Sequence, residues 1–149
     1  MMIKLLNLKR QFYLLVLFLS VTSTLIAQNS NEKQKLQGKW ILEEASILKI
    51  EGRDSIKTDI NNVVGDLDLG IFSSLKFENE KLELLVKGAS DPIIGVPEIT
   101  EGNLFLDFLA RNYIFIYKQD KDSLFLIQNY RREESFPWYY LITTKYIKQ

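Results

Sequence analysis

The sequence predicts an all-β protein: a single antiparallel up-and-down barrel of about eight strands, with one short helix after the first strand. From residue 38 onward, apolar residues come in short runs that alternate with polar ones, which is typical of strands with one buried face. Turn residues separate these runs about every ten positions. The stretch after residue 27 of the 149-residue chain is also long enough for one domain with its own core.

The first strand is predicted over residues 39–50, with Trp40 and Leu42 in one phase of the alternation. Glu44 and Ser46 fall in the same phase as Trp40. Either a β-bulge shifts the register between them, or the inner wall of the barrel carries polar groups. Bulges are common in strongly bent barrel strands, which favours the bulge.

The helix is predicted at residues 59–69, where apolar side chains recur at helical spacing and Gly70 follows as an end signal. The strand pattern then resumes. The further strands are predicted at residues 72–77, 81–87, 92–99, 104–109, 113–117, 124–130 and 138–147. Two prolines make residues 92–99 an edge strand or an extended loop rather than a central strand.

The last three predicted strands are apolar on both faces, as in the run Leu124–Ile127. A sheet with one face in water shows a cleaner alternation of apolar and polar residues. The outer face of these strands is therefore expected to be covered by the helix, by the N-terminal segment or by a partner.

Residues 1–27 have the layout of a cleavable secretory signal peptide. Basic residues at positions 4, 9 and 10 precede the apolar run Phe12–Val21, and Ala27 is a small residue before the expected cut. An uncleaved membrane anchor is the alternative, but a spanning helix needs about 20 mostly apolar residues, more than this run provides. The chain has no cysteine for lipid attachment. We therefore expect export to the periplasm or the cell exterior, and not as a lipoprotein.

The predicted mature chain consists of a polar leader at residues 28–37 and the barrel domain at residues 38–149. It has 16 Lys and Arg against 19 Asp and Glu, because three of the 19 basic residues lie in the signal peptide. A weakly acidic domain without clustered basic residues argues against nucleic acid as a partner. The absence of cysteine and histidine removes disulfides, thiol chemistry, Ser-His-Asp triads and metal sites built on those side chains.

Carboxylates are the main acid–base groups that remain in this sequence. Glu43 and Glu44 are adjacent on a predicted strand, so they point to opposite faces and do not form a catalytic pair. Glu133 and Glu134 lie in a charged loop, for which exposure to solvent is a sufficient explanation. Asp107 interrupts an apolar strand, where an outward orientation is favoured over a buried carboxylate with a raised pKa.

One segment bears a faint likeness to an acidic calcium loop. Residues 66–70 carry two aspartates and a glycine, but they lack a third acidic ligand and a closing glutamate. We therefore predict no metal, no cofactor, no catalytic residue and no enzymatic activity.

The start of the first strand, Leu36-Gln37-Gly38-Lys39-Trp40, resembles the lipocalin-like domain family of small secreted bacterial proteins, which are calycin-type β-barrels. The runs at residues 74–77, 112–117, 122–126 and 138–146 are similar to that family as well. The resemblance implies that Gly38 lets the chain turn across the closed end of the barrel and that Trp40 plugs this end. Two family features are missing, namely a Thr-Asp-Tyr signature and a last-strand arginine packed on the tryptophan, unless Lys145 or Lys148 replaces the latter.

The same resemblance implies a function, the non-covalent binding of a small hydrophobic molecule in the barrel mouth. The many aromatic residues fit either a hollow barrel lined by rings or a barrel filled by them. In the filled case, the alternative is a protein-interaction module at the cell envelope that docks a partner through the strands that are apolar on both faces and through the aromatic cluster at residues 136–140.

Overall fold

The computed structural model describes residues 31–58, 69–108, 111–131 and 134–149. Residues 31–36 are helical, and Leu36–Gln149 form one unit. Within the described residues, no helix is long and apolar enough to cross a membrane. The predicted signal peptide, and the predicted helix at residues 59–69 except for its last residue, lie outside the described residues.

The described chain is dominated by ten antiparallel β-strands. Their bounds are β1 Gly38–Glu51, β2 Asp54–Thr58, β3 Ser74–Glu78, β4 Lys81–Leu85, β5 Ile93–Gly95, β6 Glu98–Thr100, β7 Asn103–Phe108, β8 Arg111–Asp120, β9 Ser123–Tyr130 and β10 Trp138–Lys148. They form one sheet with the order β5-β4-β3-β1-β10-β9-β8-β7-β6, and β2 pairs with the second half of β1. The structure confirms the predicted all-β, antiparallel, barrel-like fold.

The two ends of this sheet are consecutive in the chain. β5 and β6 are separated only by Val96 and Pro97, yet β5 pairs with β4 and β6 pairs with β7. Pro97 has no N–H to donate to a ladder, so the segment predicted as an edge strand at residues 92–99 divides at this point. A connection of two residues therefore keeps the two ends of the curved sheet near each other.

The structure has ten strands where the sequence predicts about eight. One additional strand arises from the division at Val96–Pro97. The other is β2, which lies in a segment predicted to contain no strand. Its only large apolar residue is Ile56, which is 60% exposed, so no hydrophobic alternation marks this strand. β2 forms because its backbone pairs with residues 47–51 of β1.

The predicted bulge in β1 is confirmed. The register of β1 against β10 shifts between Leu42 and Glu44. Because of this shift, Trp40 and Ile47 both lie in the interior, with 0% and 1% exposure, although they belong to opposite phases of the sequence. Glu44, which shares the phase of Trp40, is exposed instead.

The interior is filled partly by the segment that precedes β3. Leu69, Ile71 and Phe72 are all buried, and none belongs to a strand. Phe72 packs in the main core cluster with Trp40, whereas Leu69 and Ile71 pack in a second cluster with Ile47. The side chains at residues 69–72 thus occupy space that a hollow barrel would leave open.

Candidate functional site

The strongest candidate site is a gap in the sheet between β8 and β9. These strands pair from Ile116 and Ile127 to the turn that joins them. Beyond Ile116 and Ile127, on the side away from this turn, residues 111–115 pair with β7 and residues 128–130 pair with β10. Among the described residues, no ladder joins these two stretches to each other, so the sheet opens here.

A groove with a volume of about 380 Å³ occupies this gap. Its walls come from the two separated strand ends. The lining residues are Arg111, Asn112, Tyr113, Ile114, Gln128, Asn129 and Tyr130. Because successive residues of a strand point to opposite faces, the groove takes side chains from both faces of the sheet and leads toward the interior.

The inner end of the groove is formed by Gln128 and Tyr113, both of which are buried. The Gln128 amide nitrogen donates a hydrogen bond to the backbone carbonyl of Leu69. Tyr113 stacks on Phe115 with ring centroids 6.0 Å apart, and Phe72 meets Tyr113 edge-on at 6.2 Å. These contacts fix the segment before β3 against the groove and close it toward the core.

A series of aromatic rings continues from the groove along the end of β10. Tyr130 lies 6.4 Å from Tyr140, Tyr140 lies 5.1 Å from Trp138, and Trp138 lies 4.9 Å from Phe136, measured between ring centroids. Lys49 Nζ lies 4.9 Å from the Trp138 ring centroid. All four rings are half-buried. Ring pairs of this kind stabilise one another, so the series stiffens the rim beside the groove.

The far end of the barrel from the groove contains Gly38 and Trp40. Trp40 is fully buried, and its Nε1 donates a 2.8 Å hydrogen bond to the Leu36 carbonyl. Lys148 Nζ lies 5.2 Å from the Trp40 ring centroid, a cation–π contact. Lys145 instead forms an ion pair with Glu43 at 2.5 Å. Of the two lysines considered as substitutes for the missing arginine, Lys148 is thus the one that packs on the tryptophan.

The backbone at Gly38 suits this arrangement. Its φ is +113°, and a β-carbon there would lie 3.1 Å from Cε of Lys148. A side chain at this position would be strained by its backbone conformation and would crowd the lysine. The role of Gly38 and Trp40 as a plug of the barrel end stays a prediction.

Among the described residues, the most deeply buried titratable group is the phenol of Tyr146. Its hydroxyl accepts a 3.4 Å hydrogen bond from the backbone N–H of Phe72. Burial raises the pKa of Tyr146 to about 12, because the charged form loses its hydration. The phenol therefore remains neutral at physiological pH and serves as a structural contact between β10 and the segment before β3.

Because the pKa of Tyr146 is raised, we expect the protein to lose stability in alkali. The variant Tyr146→Phe should not show this loss. Between the ordinary pKa of 10.0 and the folded value of about 12, the unfolded chain releases a proton that the folded protein retains. The free energy of unfolding therefore falls as pH rises through this window, by roughly 2 to 3 kcal/mol in total. Urea unfolding of both proteins at about pH 8 and about pH 11.5 measures this fall in the free energy of unfolding. An equal loss in the phenylalanine variant would contradict it.

The other acidic residues considered from the sequence do not converge on a site. Glu43 and Glu44 are both exposed, and so is Asp107, which confirms its predicted outward orientation. Glu134 is exposed in a turn, whereas Glu133 lies outside the described residues. Residues 66–68 of the supposed calcium loop also lie outside them. Within the described part of the chain, no group of three acidic side chains is placed to hold a metal ion.

Sequence reasoning did not identify the groove between β8 and β9. The strand predicted at residues 113–117 leaves out Arg111 and Asn112, which begin β8. The groove depends on where the ladder between two strands stops, and the residue pattern of each strand does not encode that point. The only available signal was the pair of amides Gln128 and Asn129, which interrupts an otherwise apolar strand.

Comparison with known proteins identifies no relative of this chain. No protein-family model, no curated protein and no solved structure matches it. Function must therefore be inferred from the chain's own residues.

Proposed function

We propose that the protein is an exported, lipocalin-like β-barrel that binds a small hydrophobic molecule non-covalently. The observation that carries this proposal is the groove between β8 and β9, whose volume of about 380 Å³ falls within the range of small-molecule sites. Tyr113, Ile114 and Tyr130 offer apolar surface, and the amides of Asn112 and Asn129 offer hydrogen bonds that would orient a polar end of the ligand.

The position of the ligand in this proposal differs from that in a hollow calyx. Leu69, Ile71 and Phe72 fill the interior beneath the groove. The ligand is therefore placed at the mouth, between the strand ends and beside the aromatic rim, rather than along the barrel axis. Its binding energy would come mainly from apolar surface removed from water, on the order of 25 cal/mol per Å².

The strand order supports the lipocalin-like part of the proposal. If β5 and β6 count as one strand bent at Pro97, and β2 is set aside as a side hairpin, eight strands remain. Each is then a neighbour of the next in the chain, and the last, β10, pairs with the first, β1. This is the order of a closed up-and-down barrel. The buried Trp40 under Lys148 fits the closed end that the family resemblance implies.

Native mass spectrometry of the protein purified from its own host tests the proposal. The mature chain is expected to begin at Gln28 and to carry a bound molecule that is lost on denaturation. A fluorescent fatty-acid probe should also bind to the ligand-free protein. Equal native and denatured masses together with no probe binding would rule out the proposed ligand site, and an intact N-terminus would rule out the cleaved signal peptide.

Two tyrosine substitutions place the site within the barrel. Tyr130→Ala removes a ring that lines the groove, and we expect it to weaken probe binding about tenfold, which corresponds to the loss of one apolar contact. Tyr139→Ala removes a ring of similar exposure from the adjoining strand that does not line the groove. Fluorescence titration of both variants should show a loss only in the first. Equal effects would place the probe elsewhere.

The second candidate function is a protein-interaction module at the cell envelope. The observation that favours it is the filled interior at residues 69–72. In this case the half-exposed rings of Phe136, Trp138 and Tyr140 would dock a partner, since aromatic residues are enriched in such surfaces. A protein that binds no probe, but that is retained by an envelope partner until Trp138 is replaced by alanine, would establish this function instead.

A further inference from the structure

We propose that the outer face of β7, β8 and β9 is a dimer interface, on which a second copy of this chain packs with its β8 antiparallel to the first. This inference goes beyond the proposed ligand site and does not depend on it. It starts from β8 and β9, two of the strands that are apolar on both faces and whose outer side the sequence predicts to be covered.

The apolar centre of this face lies on β8. Tyr113, Phe115 and Tyr117 point inward and are buried, whereas Ile114 and Ile116 point outward with 59% and 58% exposure. The flanking strands extend this surface. Phe105 on β7 lies opposite Ile114, and Ile127 on β9 lies opposite Ile116.

These four outward residues, Phe105, Ile114, Ile116 and Ile127, form a contiguous apolar patch. Isolated exposed apolar residues are ordinary on protein surfaces, but adjoining ones on a flat sheet face indicate an interaction site.

Charges of opposite sign flank the patch at its two ends. Lys118 follows Ile116 by two residues on the same face of β8 and is exposed. Asp107 is exposed on β7 at the other end, opposite Asn112, which precedes Ile114 by two residues. Within the described part of the chain, neither Lys118 nor Asp107 takes part in an ion pair. The patch thus has a positive end on β8 and a negative end on β7, each the same number of residues along the strands from its centre.

This pattern is complementary to itself about a two-fold axis. The axis lies in the interface, perpendicular to the strands, and passes midway between Ile114 and Ile116. The rotation places Ile114 of one copy against Ile116 of the other. It also brings Lys118 of each copy to the end of the face that carries Asp107 of its mate, so that two ion pairs form. Symmetric interfaces require self-complementarity of this kind. A foreign partner would need opposite charges in the same positions, whereas a second copy supplies them automatically.

Sedimentation velocity of the ligand-free mature chain, at protein concentrations of about 1 to 200 µM, tests the interface. These concentrations cover the dissociation constants expected for a dimer with a small apolar centre. We expect a monomer–dimer equilibrium. Ile116→Glu should leave only monomer, because it buries two charges in the apolar centre. Ile56→Glu is the matched control, since Ile56 is 60% exposed but lies on β2, and it should leave the dimer unchanged.

A charge exchange tests the orientation. Lys118→Glu should weaken the dimer at least tenfold, since it places like charges together at both ends. Adding Asp107→Lys restores opposite signs, and the double variant should return to within about threefold of the original affinity. A protein that stays monomeric at all concentrations, or a double variant as weak as Lys118→Glu, would overturn the inference. Because no ligand is present, failure of the ligand proposal leaves this result unaffected.

Discussion

Replacing Gly70 by alanine is expected to lower the free energy of unfolding by about 3 kcal/mol. Gly70 has a φ of +63°, which costs an alanine about 1 kcal/mol. Its β-carbon would also lie 2.8 Å from Nε2 of Gln128, 2.9 Å from Cζ of Phe115 and 3.0 Å from Cδ1 of Tyr113. These neighbours are held by the core and by the hydrogen bond to Leu69, so the added methyl group forces strain rather than a simple rotation. Urea unfolding measures the change.

The control for this prediction is Gly52→Ala. Gly52 has a φ of +62°, nearly the same as that of Gly70, but a β-carbon there would meet no atom within 4 Å. The control should therefore lose only the backbone cost of about 1 kcal/mol. The difference between the two variants isolates the crowding at Gly70. If both lose the same free energy, the segment before β3 is not packed against Tyr113 and Gln128, and the filled interior must be reconsidered.

The same substitution bears on the proposed ligand site. Tyr113 and Gln128 form the inner end of the groove, and a methyl group at residue 70 would displace them toward it. We therefore expect Gly70→Ala to weaken binding of the fluorescent probe under conditions in which the variant is still folded. Gly52→Ala, whose position lies in the turn between β1 and β2, should leave the probe affinity unchanged.

The sequence predicts those features of the fold that depend on local alternation. The phase conflict of Glu44 with Trp40 predicts the bulge in β1, because only a register shift can place both Trp40 and Ile47 inside. The continuous apolar run in β8 correctly predicts apolar side chains on both faces of this strand. Pro97 correctly predicts that its segment is not a central strand, because proline has no N–H to donate to a neighbouring strand. β5 and β6, on either side of Pro97, are the first and last strands in the order of the sheet.

Features that depend on contacts between distant segments could not be predicted in this way. The sequence marks Gly70 as the end signal of a helix, a position at which glycine often takes a positive φ, and Gly70 has a φ of +63°. The close approach of Gly70 to β8 and β9 is a second reason for the glycine, and it depends on how the curved sheet packs around residues 69–72. The groove has the same origin, because the ladder between β8 and β9 stops at Ile116 and Ile127, and the amides Gln128 and Asn129 are the only mark of this point in the sequence.

Replacing Trp40 by alanine is expected to have the largest effect, a loss of about 4 kcal/mol in the free energy of unfolding. Trp40 is fully buried and packs with Leu75 and Tyr146 in the main core cluster. Its removal leaves a large cavity and also leaves the Leu36 carbonyl without the hydrogen bond from Nε1. Such a loss removes between about a quarter and four fifths of the 5 to 15 kcal/mol that stabilises an ordinary domain. Urea unfolding followed by circular dichroism measures it.

Trp138→Ala provides the control, because Trp138 is the chain's second tryptophan and is half-buried at the rim. It should lose only about 1 to 2 kcal/mol, from its ring contacts and from the cation–π contact with Lys49. Because each variant retains one tryptophan, fluorescence reports the unfolding of opposite ends of the barrel in the two proteins. A larger loss at Trp138 than at Trp40 would mean that the aromatic rim, rather than the opposite end that contains Trp40 and Lys148, holds the sheet in its curved form. That outcome would also contradict the predicted role of Trp40 as a plug of the barrel end.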